Sequence, residues 1–237
     1  RRPVQHAERV AKRFRPERPR GAQAPERPSR AVPSAVVPQV RLDLLRGHAF
    51  VIVPRRIVLA HVRQAEPEIL VEFRRRARRP EFARQRESLV RRSGRARRIL
   101  VCYGGSDPGN ETARALSAIR SLPQPGLAVD VVIGLSNPHA ESISGLCREM
   151  PLAELHRGAD NIAELMMRAD LAIGAGGVMS WERCCLALPT IAVDIADNQT
   201  GALTALASCG AVAYLGSASS VTVEQIAGTL RSMLDDP

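Results

Sequence analysis

Leu171-Ala172-Ile173-Gly174-Ala175-Gly176-Gly177, followed by Val178-Met179-Ser180-Trp181-Glu182-Arg183-Cys184-Cys185, is the stretch on which the reading of this chain turns. A short apolar run stops at a glycine cluster, and a helix through Trp181 to Leu188 opens directly behind it. The same grammar recurs on either side. Ile99-Leu100-Val101-Cys102-Tyr103 ends in Gly104-Gly105 and is followed by helical spacing over Asn110 to Leu122. Val129 to Ile133 is a strand ended by Gly134, with a helix from Pro138 to Met150 behind it. Leu152 to Leu155 is a short, weak strand, and Asn161 with Glu164 three residues on has the form of a capping box. Thr190 to Ile195 is a strand, Gln199 to Ser208 a helix and Ala211 to Leu215 a final strand. Thr222 with Gln225 caps the last helix. Strand and helix alternating at these intervals mean βαβ units, and runs that are apolar throughout mean strands buried on both faces. The expected fold is α/β: a Rossmann-like parallel sheet with helices on both faces, over residues 97–237.

The preceding residues are of another kind. The chain has 237 residues, 45% of them hydrophobic, which excludes a wholly disordered protein. Within 1–100, 27 basic residues face 9 acidic ones, whereas the remainder is net acidic. Ten of the 17 prolines also fall in 1–100, and proline stops helix propagation. Residues 1–75 are therefore expected to be an irregular basic segment and 76–96 a linker. Arginine almost without lysine, and no aromatic interleaving, fits translation from a shifted frame of GC-rich DNA better than a nucleic-acid-binding arm, the other source of such charge. No apolar run of about 18 residues predicts a membrane span. Without an initiator Met or a signal pattern, the chain reads as a cytoplasmic fragment or an incomplete reading frame. Five cysteines without framework spacing suggest free thiols in a reducing compartment.

In an open parallel sheet, ligands sit where strands end and helices begin. Three loops qualify. Gly104-Gly105-Ser106-Asp107-Pro108-Gly109-Asn110 lets backbone amides approach an anion, or is an ordinary strand-to-helix turn. It is neither a Walker A loop nor a complete GxGxxG. Gly176-Gly177 with Val178, Met179 and Ser180 suits a diphosphate at a helix N-terminus. Glu182, a turn further on, suits the hydroxyls of a ribose, or is merely an acid stabilised by the helix dipole. Asp194 to Gln199 offers Asn198 and Gln199 to a sugar or phosphate, or Asp197 and Asn198 as helix caps. His139 and His156 have no metal-ligand spacing and read as loop or surface residues. Cys184, Cys185, Met166 and Met167 read as core.

Taken in order, Gly104-Gly105-Ser106-Asp107, Asn161-Ile162-Ala163-Glu164-Leu165, Trp181-Glu182-Arg183-Cys184-Cys185 and Ala196-Asp197-Asn198-Gln199 resemble the C-terminal domain of the UDP-2,4-diacetamido-2,4,6-trideoxy-β-L-altropyranose hydrolases of pseudaminic acid biosynthesis, relatives of the MurG-type glycosyltransferases. The similarity runs from about Arg79-Pro80-Glu81-Phe82 to the C-terminus. It implies the UDP-holding half of a GT-B architecture, needing neither metal nor cofactor. It places the Gly176-Gly177 loop, with Val178, Met179 and Ser180, at the diphosphate, Glu182 at the ribose, the backbone near Ile162 at the uracil, and Asn198 and Gln199 at the sugar or distal phosphate, with Gly105 and Ser106 also among the UDP- or substrate-binding residues. Val178 and Met179 stand where hydroxyl residues are expected. The implied reaction is inverting hydrolysis at the anomeric carbon, with a histidine base from a Gly-Ser-Gly-His motif. That motif is absent here, and Gly47-His48 is the only Gly-His pair. The implied partner is a UDP-sugar, with no membrane and no nucleic acid. Two alternatives stand beside it: a UDP-sugar glycosyltransferase of the same fold, and a nucleic-acid binder working through residues 1–70.

Overall fold

A computed structural model describes residues 80–87, 95–208 and 210–235. The expectations for residues 1–75 and for Gly47-His48 lie outside them. Six strands form one sheet: β1 (Arg98–Cys102), β2 (Ala128–Ile133), β3 (Ala153–Arg157), β4 (Leu171–Ala175), β5 (Thr190–Asp194) and β6 (Ala213–Ser217). Their spatial order is β3-β2-β1-β4-β5-β6 and every pairing is parallel. This is the Rossmann order, in which connections run outward in both directions from a switch point between β1 and β4.

The helices are α1 (Pro80–Glu87), α2 (Glu111–Arg120), α3 (Ala140–Arg148), α4 (Ile162–Arg168), α5 (Val178–Cys185), α6 (Asp197–Ser208) and α7 (Val223–Asp235). Side chains alternate across the sheet, so each strand feeds two cores. Ile99, Val101, Val131 and Ile173 pack with Ala115 and Leu116 of α2, Ile143 of α3 and Ile226 and Leu230 of α7. Leu100, Cys102 and Ala172 pack with Leu165 and Met166 of α4, Cys184 and Cys185 of α5, and Leu203 and Leu206 of α6. Cys102, Cys147, Cys184 and Cys185 are free thiols and buried. Burial alone pushes the Cys147 thiol above its ordinary range.

Several local expectations are refined. The stretch expected as a linker contains α1, whose Phe82 is wholly buried in the second core. Thr222 and Gln225 do form a capping box, with the Thr222 amide donating to Gln225 Oε1 at 2.8 Å and the Gln225 amide to Thr222 Oγ1 at 3.3 Å. Asn161 does not cap α4. Its backbone lies at φ −103°, ψ 34°, outside the extended conformation that aims a cap side chain at the helix amides, and its amide instead donates to Glu164 Oε2 at 3.5 Å.

Nor is His156 a loop or surface residue. It lies on β3, with Nε2 3.1 Å from Oδ1 of the fully buried Asp130, whose other oxygen accepts from Arg98 Nη1 at 2.8 Å. This pairing explains how a carboxylate is tolerated inside β2. Among the described residues, no helix is long and apolar enough to cross a membrane.

At Gly174, beside the switch point, a Cβ would stand 2.1 Å from the carbonyl oxygen of Cys102, its partner on β1. Gly174→Ala should therefore force β1 and β4 apart and cost about 1–3 kcal/mol or more. Gly228→Ala, in α7 with open space around the new methyl group, should stabilise by roughly 0.5–1 kcal/mol. Urea denaturation of both variants reads the two signs.

Candidate functional site

Where connections diverge on either side of a switch point, a crevice opens at the carboxyl ends of the two strands. Here it is bounded by the loops after β1 and β4, with the loop after β5 adjacent to β4. Helix α4 crosses back over β1 toward the start of β4, so its first residue, Ile162, faces the same edge of the sheet. The topology thus brings all the sequence-predicted residues to one edge. Their chemistry, however, differs from loop to loop.

The loop after β1 supplies its own anion. Asp107, buried and at φ 41°, accepts the amides of Glu111 and Thr112 at 2.9 Å each through its two carboxylate oxygens. The N-terminus of α2 is therefore capped from within, and Glu111 adds a second acid to its first turn. Arg114 pairs with Glu111 at 2.9 Å, while burial is the larger influence and holds the Glu111 carboxyl above its usual range. Gly105 and Ser106 stand exposed at the rim. Any second anion at the amides of α2 would have to displace Asp107.

The loop after β4 is the reverse case. Gly177, at φ 79° and ψ −150°, is the N-cap of α5, makes no side-chain cap and has no acidic residue in the turn that follows. That backbone conformation is open to glycine alone. The amides of Gly177, Val178 and Met179 precede the first intrahelical bond, which the Ser180 amide makes to Gly177 O at 3.2 Å. Val178 is 39% exposed beside them. Met179 turns inward, its sulfur 3.5 Å from Cys102 Sγ. Ser180 is buried, with its hydroxyl 3.5 Å from the Ala175 carbonyl, so it faces the frame of the turn and not its mouth.

Glu182 is the fifth residue of α5, 3% exposed and engaged in an interaction of its own. Its burial and position exclude the surface-dipole role open to a first-turn acid.

Gln199 ties two loops together. Its Oε1 accepts the Gly176 amide at 3.1 Å and the Ile195 amide at 3.2 Å. A Cβ on Gly176 would lie 2.8 Å from Gln199 Cβ, which explains the glycine. The Gln199 side-chain carbonyl is thus committed to the scaffold, whereas Asn198, like its neighbours Ala196 and Asp197, is exposed at the start of α6. Asp194, buried at the end of β5, accepts from Thr200 Oγ1 at 2.8 Å and Tyr214 Oη at 2.5 Å. Burial, followed by this bond, pushes the Tyr214 hydroxyl up to about 12.

Sequence reasoning gave no role to Asp107, Asp194 or Arg183. Asp107 lies three residues ahead of the N-cap Asn110, outside the usual spacing of a capping residue, and the burial of Arg183 has no local signature either. Among the described residues one cluster has metal-ligand chemistry, Asp130, Glu154 and His156, with ligand atoms within 4.8 Å. Asp130 is already shared between Arg98 and His156, so the cluster reads as an ion network closing the sheet edge.

No protein-family model matches the chain. It is 30% identical over 138 residues to the spore coat polysaccharide biosynthesis protein SpsG of Bacillus subtilis, a match spanning 58% of this chain and 40% of that protein. An uncharacterised protein of Methanocaldococcus jannaschii, MJ1062, is 28% identical over 118 residues, covering 48% of this chain and 24% of its own length. The chain thus spans less than half of the curated relatives it matches. Among solved structures it resembles MurG of Acinetobacter baumannii, with TM-score 0.51 and 18% identity over 65% of this chain and 44% of that one. That likeness extends to the fold, the Rossmann-like parallel sheet expected for residues 97–237.

Gln199→Leu strips two backbone amides of their acceptor and should cost about 1–3 kcal/mol. Gln199→Glu keeps the acceptor and should stay within about 1 kcal/mol of the parent. Thermal denaturation at neutral pH distinguishes the two.

Proposed function

We propose that this chain carries the UDP-holding domain of an enzyme that hydrolyses a UDP-linked diacetamido-trideoxy sugar, of the kind used in making pseudaminic acid. The observation that carries this reading is the uncapped, acid-free N-terminus of α5 at the switch point, with three free amides beside Gly177. A diphosphate neutralises the positive end of that helix and satisfies its amides. The similarity to a polysaccharide biosynthesis protein supports a sugar-linked substrate.

In this reading the diphosphate lies on the turn from Gly176 to Met179, and Ser180 holds the turn's shape. Glu182 accepts the ribose hydroxyls in exchange for its present interaction. Uracil meets the backbone near Ile162, Asn198 faces the sugar or distal phosphate, and Gly105 and Ser106 form the opposite wall. Water attacks the anomeric carbon from the face opposite the leaving group. The C1–O bond breaks, its electron pair departs with UDP, and configuration inverts. The amides of α5 stabilise the charge that grows on the departing diphosphate, the logic of an oxyanion hole. A general base takes the water's proton. This sequence has no Gly-Ser-Gly-His motif to provide one.

Transfer to a sugar hydroxyl in place of water is the second reading, favoured by the similarity to a spore coat polysaccharide biosynthesis protein. It uses the same donor turn. Product analysis separates the two, because hydrolysis leaves a free reducing sugar and transfer a glycoside.

Calorimetric titration should show UDP binding that Glu182→Ala weakens, with the preference for UDP over 2′,3′-dideoxy-UDP lost. Equal weakening for both nucleotides would remove Glu182 from the ribose. Release of UDP from the UDP-sugar should run about 10²–10⁴-fold below an otherwise similar enzyme carrying the base. Turnover at an unimpaired rate would contradict that expectation.

A further inference from the structure

Arg183 is among the largest fully buried side chains of the protein, 1% exposed, and it lies beneath the turn just described. Its Nη2 donates to the Ala175 carbonyl at 2.5 Å and to Ser180 Oγ at 3.2 Å, so one nitrogen grips both the last residue of β4 and the first turn of α5. Its Nη1 lies 2.7 Å from where a Cβ on Gly174 would stand, so the bare glycine leaves the guanidinium its place. Neither Nε nor Nη1 finds a hydrogen-bond partner. A buried donor left unmatched is costly, and a buried unneutralised charge more so. A core that needed only volume would be filled more cheaply by methionine or leucine. Burial pulls the Arg183 pKa down, yet a guanidinium stays protonated in proteins. Burial pushes the nearby Cys102 and Tyr103 toward their neutral forms, and the adjacent Glu182 acts on the guanidinium only as the weakest of the groups that favour its charge.

Three features of one sign therefore meet at the β4–α5 turn: an uncapped helix N-terminus, a first turn without acid, and a buried cation gripping that turn from below. The loop after β1 has the opposite arrangement, with its own carboxylate in place. We propose that Arg183 is the positioning residue of the diphosphate turn: it fixes the turn's amides through Ala175 and Ser180, and its charge, acting through the protein interior without touching the ligand, sets the affinity for the diphosphate over the uncharged nucleoside. The inference rests on the UDP reading above and deepens it.

The test is a pair of affinities, for UDP and for uridine, measured by calorimetry on the full chain, on Arg183→Lys, and on the neutral variants Arg183→Met and Arg183→Gln. Thermal melts identify which variants fold. In the folded neutral variants UDP affinity should fall about tenfold or more while uridine changes less than about twofold, because only the diphosphate feels the lost charge. Arg183→Lys, which keeps the charge and loses the fork, should fall between. Parallel loss for UDP and uridine would make Arg183 a packing residue and overturn the inference, as would failure of both neutral variants to fold. If the parent chain binds neither UDP nor uridine, the UDP reading falls by itself. Inorganic pyrophosphate, which needs only the turn, then carries the comparison: binding by the parent that weakens about tenfold in the neutral variants upholds the role of Arg183, and no binding, or binding that stays unchanged, overturns it.

Discussion

The bare backbone of Gly174, where β4 pairs with β1, is the constraint on which the middle of this sheet depends. A side chain there would collide with the Cys102 carbonyl, and its absence leaves room for the Arg183 guanidinium. The two strands are the middle pair of the sheet, from which crossovers depart in opposite directions. In open parallel sheets the carboxyl end of such a pair is the edge where ligands are commonly bound, and here the topology brings the loops after β1 and β4 together at it.

Two glycine-bearing loops share that crevice, and their electrostatics are opposed. Asp107 folds back onto α2 and satisfies the amides a phosphate would otherwise use. The Gly177 turn has no such group, and Gln199 braces it from β5 through the amides of Gly176 and Ile195. Bracing matters because an anion site built from amides works only when they are held in position before the ligand arrives. The Asp194–Thr200–Tyr214 network does the same one loop further along, anchoring the start of α6 to β6.

Much of this was legible in the sequence. Runs such as Ile99-Leu100-Val101 and Thr190 to Val193 are apolar without alternation, which only burial on both faces explains, and the glycines after β1, β2 and β4 mark where strands stop. Thr222 with Gln225 behaved as its spacing suggested, each backbone amide bonding the other's side chain. Asn161 with Glu164 has the same spacing and failed, because capping depends on backbone torsions that the chain's path from β3 imposes. The pairing of His156 with Asp130 was hidden for a related reason: residues 26 apart met through strand register. Most of all, sequence pattern treats the two glycine loops alike. That Asp107 occupies one while Arg183 underlies the other is a consequence of side-chain direction in three dimensions.

The proposed site requires that an anion settle on the amides of the β4–α5 turn and leave the β1–α2 helix cap undisturbed. Backbone amide resonances of the ¹⁵N-labelled chain, followed during titration with UDP, test it most directly. Large, saturating shifts are expected for Gly177, Val178 and Met179, with Glu111 and Thr112 unmoved behind the Asp107 carboxylate. Shifts concentrated at Glu111 and Thr112, with the turn after β4 silent, would contradict it.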